Sequence, residues 1–318
     1  MPWVIGIDEA GYGPNLGPLV MTSVACRVPD DLAGADLWRV LAAAVRRAAE
    51  ADDGRPLVAD SKEVYSAARG LAPLETGVLS LAAPEGALHL AGYLDWVSPP
   101  AAAELAGEPW YSGSSPLPVA ADRAACAAAG SRFADVCRAS GVERALVRSV
   151  VVCPARFNGL LDRWDSKGAV LGDGLAELVA CNRAAAGPGA ALAFFIDKHG
   201  GRNAYAPLLQ DAIPDGMVLA REEGGLRSTY TVLGTGQDLR LTFQPRADAE
   251  HFCVALASMV SKYLREVLMA EFNRFWQAQV PGLRPTAGYP GDAPRFLAAI
   301  RPALTRLGIA ESAVWRRK

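Results

Sequence analysis

The chain has 318 residues, 51% of them hydrophobic and 21% charged, so apolar surface is ample for a packed core and wholesale disorder is excluded. Lys and Arg number 32 against 34 Asp and Glu, a net charge of −2, so the global basic field of a sequence-indifferent polyanion binder is absent. Any nucleic-acid site has to be local.

The six cysteines, at 26, 126, 137, 153, 181 and 253, form no CxxC pair, which argues against a zinc module and for buried thiols in a reducing compartment. The opening residues lack the basic and long apolar regions of a secretory signal, and no run of 18 uncharged apolar residues occurs. A cytoplasmic protein is expected.

In chain order, Trp3 to Ile7 and Leu19 to Val28 are apolar runs rich in branched residues and read as strands. Between them Gly11, Gly13, Pro14, Gly17 and Pro18 make a tight loop. Asp31 to Ala51 has Leu32, Leu37, Val40, Leu41, Ala44 and Val45 at helical spacing, which predicts an amphipathic helix. A second helical stretch is expected within 58–81, with Ala67, Leu71 and Leu74 on one face and Asp60 or Ser61 as its cap. Six prolines between 84 and 118 argue against continuous helix or central strand there.

Ala120 to Ser140 reads as helix, Ala145 to Cys153 as strand, Gly174 to Ala186 as helix, and Ala191 to Ile196 as a strand stopping at Asp197. Ser228 to Val232 and Leu239 to Phe243 suggest a hairpin, and Arg246 to Ala278 carries the clearest helical pattern, as one long helix or two. Interleaved strands and helices favour an α/β or mixed α+β architecture.

Asp8-Glu9 closes the first strand, and two adjacent carboxylates are costly there unless a cation or a proton neutralises them. Asp197 ends another apolar strand in the same way, and Glu266 lies on the long helix one turn beyond Lys262. Four converging carboxylates would suit two Mg²⁺ or Mn²⁺ ions, which take oxygen ligands and assist phosphodiester displacement. Spacing alone does not bring them together. Each also has a plainer reading: Asp8, Glu9 and Asp197 as turn or capping acids, and Lys262 with Glu266 as an i,i+4 ion pair.

Ile5-Gly6-Ile7-Asp8-Glu9-Ala10-Gly11-Tyr12-Gly13-Pro14, with Gly17-Pro18 following, resembles the signature strand and loop of the prokaryotic type 2 ribonucleases H. Asp60-Ser61-Lys62, Phe195-Ile196-Asp197, Ala257 to Glu266 and Gly288-Tyr289 resemble four further motifs of that family, in the same order. Roughly half the chain carries the resemblance.

It implies an α/β ribonuclease H-like fold, a mixed central sheet flanked by helices, as a single domain over 1–318. Inserts are expected at about 31–57, 82–118 and 200–240, with a helical C-terminal part at about 246–318. The implied activity is metal-dependent endonucleolytic hydrolysis of the RNA strand of RNA:DNA hybrids, or of ribonucleotides embedded in DNA, leaving a 3′-hydroxyl and a 5′-phosphate. Asp8, Glu9, Asp197 and Glu266 would hold a pair of Mg²⁺ or Mn²⁺ ions. Gly11, Tyr12 and Gly13 would recognise a 2′-hydroxyl, the group that separates RNA from DNA. Lys62, Ser258, Lys262 and Tyr289 would complete substrate binding, and the protein would act as a monomer away from membranes.

Three departures from the pattern are visible. Tyr12 replaces a basic residue of the loop, Glu266 stands where the type 2 helix has Asp but type 3 relatives have Glu, and Lys198 replaces glycine. Type 3 relatives also carry an extra N-terminal domain, for which a first strand at Trp3 leaves no room. The alternatives are a non-catalytic binder of hybrids or junctions, and a nuclease for another nucleic-acid structure. His199, two residues after Asp197, reads as a surface histidine with a possible proton-shuttle role, and Arg316-Arg317-Lys318 as a solvated end. The aromatics Trp110, Tyr111, Trp164 and Trp276 read as core in preference to base-stacking platforms. The glycine spacing matches neither a dinucleotide loop nor a P-loop, and no G-x-S-x-G elbow occurs.

Overall fold

The computed structural model describes residues 1–48, 53–66, 68–84, 86 and 89–317, and the backbone alone at 102 and 103. Strands β1 (Trp3–Ala10) and β2 (Leu19–Arg27) open the chain, followed by the helices α1 (Leu37–Val40), α2 (Ser61–Val64), α3 (Ala72–Leu81), α4 (Leu90–Val97), α5 (Pro99–Ala106) and α6 (Arg123–Ser140). Next come β3 (Glu143–Val152), α7 (Pro154–Trp164), α8 (Lys167–Ala186), β4 (Ala191–Asp197) and α9 (Ala206–Ala212). The chain continues through β5 (Met217–Glu223), β6 (Ser228–Leu233), β7 (Asp238–Gln244), α10 (Ala247–Glu250), α11 (Phe252–Gln279) and α12 (Ala293–Leu307).

The seven strands form one sheet in the order β3-β2-β1-β4-β7-β6-β5. β1, β2 and β3 make an antiparallel meander, while β4 runs parallel to β1 and β7 parallel to β4. The five strands β3-β2-β1-β4-β7 thus have the order and directions of a ribonuclease H-like fold, and β5 and β6 extend its far edge as an antiparallel pair.

β2 is buried at every position but its last, because both faces of the sheet are covered. Alternation sends Val20 and Val24 towards α11, where they join Leu256, Met259, Val260 and Tyr263, and sends Leu19 and Met21 towards α8, with Leu171, Leu175 and Leu178. A third cluster joins the end of α11 to α12 through Phe272, Trp276, Phe296 and Ile300, with Trp110 packed among them.

Four regions differ from the sequence reading. The helix expected over 31–51 is a single turn, α1, capped by Asp36. Leu41, Ala44 and Val45 are buried through turns instead, because the chain folds back so that Arg46 bridges Leu57; residues 49–51 lie outside the described residues. The helix expected within 58–81 is two, α2 capped by Asp60 and α3 entered through Pro73, with Gly70 at φ +67° between them; Ala67 lies outside the described residues. The proline-rich excursion holds α4 and α5, since Pro99 and Pro100 occupy the first turn of α5, where a missing N–H costs nothing. Within 200–240 the hairpin gains a third strand, β5.

Candidate active site

Parallel β1, β4 and β7 lie side by side, and the carboxyl ends of such strands are where ligand sites gather in open α/β sheets. Asp8 and Glu9 sit near the end of β1, Asp197 ends β4, and Asp248 follows β7 within the one-turn helix α10. Asp8 Oδ1 accepts the Glu9 N–H at 2.8 Å. Asp197 Oδ1 accepts the Ala247 N–H at 3.0 Å, which fixes Asp248 one residue from an Asp197 contact.

Asp197 is the charge that the other three acids share. Burial, then the charges of Glu9 and Asp197, raise the Asp8 carboxyl well above the usual carboxylate range. Burial and Asp197 push Glu9 up to about 7. Asp197 is raised by burial against the pull of backbone N–H groups, and Asp248 is pushed up to about 6 by burial, Asp60 and Asp197. The Lys62 ammonium opposes the shift at Glu9, Asp197 and Asp248, although its own side chain is exposed.

α11 crosses directly above. An added Cβ at Gly6 would lie 2.1 Å from the backbone of Cys253 and Val254, so only glycine lets the helix come this close. The crossing brings Ser258 into hydrogen-bond contact with the Asp8 carboxylate and to 3.1 Å from Ser61 Oγ. Ser261 Oγ donates to the Asp8 carbonyl at 3.1 Å. Three segments distant in sequence, 8–9, 60–62 and 258–261, therefore meet.

Glu266 is placed elsewhere. Its carboxylate accepts from Lys262 Nζ at 2.5 Å and from Tyr65 Oη at 3.0 Å, and Lys262 lies 4.7 Å over the Tyr65 ring. Lys262 is thus engaged with Glu266. Asp248, which feels the charges of Asp60 and Asp197, is absent from the sequence-derived set; its signal is its position just beyond the third parallel strand, as Asp8 and Asp197 stand at the ends of theirs.

The glycine loop stands beside the acids. Gly11 takes φ +90°, and a Cβ there would meet Pro18 O at 2.7 Å and Arg265 Cδ at 2.8 Å, whereas at Gly13 it would meet nothing within 4 Å. Tyr12 is half-buried, close enough to Glu9 and Arg202 to feel both charges, with Lys167 Nζ 5.7 Å from its ring centre. Gly288 O accepts from Asn15 N at 2.8 Å, which brings the turn carrying the exposed Tyr289 against the loop.

His199 is buried, contrary to the surface reading, because it is walled in by Tyr205 and Phe243; burial and Arg202 hold it down to about 4. Lys198 is also buried and ties the 200–240 insert inward through Asn203 and the Gly224 carbonyl. Arg316, read as part of a solvated end, is 1% exposed and packs behind the glycine loop. Trp110 and Trp276 are core residues, while Trp164 is exposed with Arg163 over its ring.

In donor chemistry, an all-oxygen set of buried carboxylates sharing the charge of Asp197 suits a hard divalent cation such as Mg²⁺ or Mn²⁺. Among the described residues, no three His, Cys, Asp or Glu side chains are grouped closely enough to hold one ion. Also among them, no helix is long and apolar enough to cross a membrane.

Fold and site together define an α/β protein of ribonuclease H-like fold with an acidic cluster at the carboxyl ends of its parallel strands. Among solved structures the chain is similar to the RNase HII of Archaeoglobus fulgidus described in complex with PCNA, at 17% identity over 99% of this chain and 94% of that one, TM-score 0.42. It is similar to the ribonuclease H2 of Pyrococcus horikoshii OT3 at 14% identity over 98% and 92%, TM-score 0.42. It is also similar to Bst-RNase HIII, described in complex with Mn²⁺, at 15% identity over 99% of this chain and 66% of that one, TM-score 0.43. No protein-family model and no curated protein sequence matches the chain.

Proposed function

We propose that the protein is a metal-dependent endonuclease of the type 2 and type 3 ribonuclease H kind, hydrolysing the RNA strand of RNA:DNA hybrids or ribonucleotides embedded in DNA to leave a 3′-hydroxyl and a 5′-phosphate. The observation that carries this reading is the burial of Asp8, Glu9 and Asp197 together at the ends of adjacent parallel strands, where all three carboxyls are raised and the Asp197 charge adds to the elevation of the other two. Such a cluster is a poor structural element on its own, and it becomes favourable when a cation or proton neutralises it.

Asp8, Glu9, Asp197 and Asp248 would hold Mg²⁺ or Mn²⁺, which when bound supplies the charge that eases attack of water on a phosphodiester. The protein's own contribution is positioning. Ser258 and Ser261 hold Asp8 by its carboxylate and its carbonyl, and Lys62 offsets the acid charge where a phosphate would approach. His199, buried and held near 4, is neutral at pH 7 and belongs to the wall, not to proton transfer. Glu266, paired with Lys262 and Tyr65, would act as a support for Lys262.

Incubation with a duplex containing one ribonucleotide and Mg²⁺ or Mn²⁺ tests the proposal. Metal-dependent cleavage lost in Asp8→Asn is the expected outcome, and tight binding without cleavage under both metals refutes it. A second reading, a non-catalytic hybrid or junction binder, is favoured by one observation: no three of the described carboxylates are grouped for one ion. The same assay separates the two, and cleavage of an all-DNA junction would mark a nuclease for another structure.

A further inference from the structure

Two buried guanidiniums lie behind the glycine loop, and neither is neutralised by a carboxylate among its hydrogen-bond partners. Arg265 Nη1 donates to the Pro18 carbonyl, and its Nη2 to those of Leu16 at 3.3 Å and Ala287 at 2.9 Å. Arg316 Nη2 donates to the carbonyls of Gly11, at 2.7 Å, and Pro14. The Arg316 backbone seals the same contact, its N–H donating to Asn15 O at 2.7 Å and its carbonyl accepting from Asn15 Nδ2 at 3.1 Å. Five carbonyls of the loop 11–18, those of Gly11, Pro14, Asn15, Leu16 and Pro18, are thus drawn inward, while among the described residues the N–H groups of Gly11, Tyr12 and Gly13 reach no protein acceptor.

We infer that Arg316 is a positioning residue of the glycine loop: with Arg265 it holds the loop's carbonyls inward and its Gly11–Gly13 N–H groups outward, to receive the sugar–phosphate backbone of a nucleic acid. This rests on the reading under Proposed function. Burying two cations with no carboxylate hydrogen-bonded to either is expensive. Nε and Nη1 of Arg316 have no hydrogen-bond partner among the described residues, so a merely structural tether would be better served by a neutral donor. What the charge adds is a positive field behind outward-facing amides, an arrangement that attracts anions. It supplies locally what a chain of net charge −2 lacks globally.

The test uses Arg316→Met, which keeps an apolar stem against Phe157, where the guanidinium now sits 4.8 Å from the ring, and removes every donor. Arg316→Lys keeps the charge but not the two-carbonyl reach. Arg317→Ala is the control, since Arg317 faces Asn158 and Asp162 instead. Three readouts are taken: KM and kcat on a single-ribonucleotide duplex, the affinity ratio between that duplex and all-DNA in an Asp8→Asn background, and amide exchange at Gly11–Gly13. Arg316→Met is expected to raise KM at least tenfold with kcat within threefold, to bring the affinity ratio towards one, and to speed exchange at those amides. Arg316→Lys should fall between Met and wild type, and Arg317→Ala should match wild type.

A Met variant that keeps KM and the affinity ratio within twofold of wild type, with only its unfolding temperature lowered, overturns the inference. If Arg316→Met does not fold, Arg316→Lys decides by the same criterion. A wild-type protein that neither cleaves nor prefers the ribonucleotide duplex refutes the proposed function instead, and that result is visible before any variant is made.

Discussion

Removing the charge of Glu9 should stabilise the metal-free protein, and only at high pH. The Glu9 carboxyl is pushed up to about 7 from an ordinary 4.5, with burial the larger cause and Asp197 the second. The folded protein therefore holds this proton more tightly than the unfolded chain does. Its stabilising contribution is complete below about pH 4.5 and is lost as pH rises through about 7. A gap of about 2.5 pH units at 1.36 kcal/mol each sets an upper bound of about 3–4 kcal/mol on what ionising Glu9 costs the fold.

Glu9→Gln removes that cost and also relieves Asp8, which Glu9 raises. In urea denaturation with EDTA, we expect wild type and variant to agree within about 1 kcal/mol at pH 5 and the variant to be ahead by about 2–3 kcal/mol at pH 8. Added Mn²⁺ should then restore wild type at pH 8 and affect the variant less, because a ligand that binds only the folded state adds its binding free energy to stability. A difference between the two proteins that is the same at pH 5 and pH 8, or an equal response to Mn²⁺, would refute the account of the cluster.

Asp248→Asn should abolish cleavage as fully as Asp8→Asn does, at least 100-fold in kcat at saturating Mg²⁺, whereas Glu266→Gln should retain activity within about tenfold; equal losses would return Glu266 to the metal set. Gly6→Ala should destabilise by about 3 kcal/mol or more, since its methyl would stand 2.1 Å from backbone atoms of α11 that cannot step aside; a midpoint shift in urea measures it. Affinity for a hybrid duplex should fall with salt less steeply than for a globally basic protein, a slope of about −2 to −4 in log–log form, because few cations border the site. A slope near −8 would contradict this local picture.

The strands were legible because branched apolar runs ended in unmistakable breaks, at Asp8-Glu9 and at Asp197, and because the glycine loop could not be anything else. The long pattern from Arg246 was legible for the same reason, and it even allowed for the division into α10 and α11. What was hidden was hidden by pairing between distant segments. Helical spacing over 31–51 was real, but a backbone bridge from Arg46 to Leu57 outcompeted it. Asp248 carries no mark in the sequence because its distinction is its place beyond β7, a neighbour of β4 only in three dimensions. Glu266 has the right spacing from Lys262, yet that spacing produced the local ion pair that holds it. Arg316 could not be found from sequence at all, since nothing along the chain announces that a terminal basic run will be buried against residues near the start.

The close crossing at Gly6 gives α11 a further role as a ruler. Ser258 and Arg265 are seven residues apart on one helix, so at 1.5 Å per residue they hold the acid cluster and the glycine loop at a set axial separation of about 10 Å. Neither loop motion nor side-chain choice changes that distance. A single-residue deletion between 258 and 265 would shorten it by about 1.5 Å and rotate everything beyond by about 100°, detaching the loop from its arginine while Asp8, Glu9, Asp197 and Asp248 stayed in place. On the proposed function, the spacing between the loop that would grip a backbone and the acids that would cut it is therefore set in the helical rise itself.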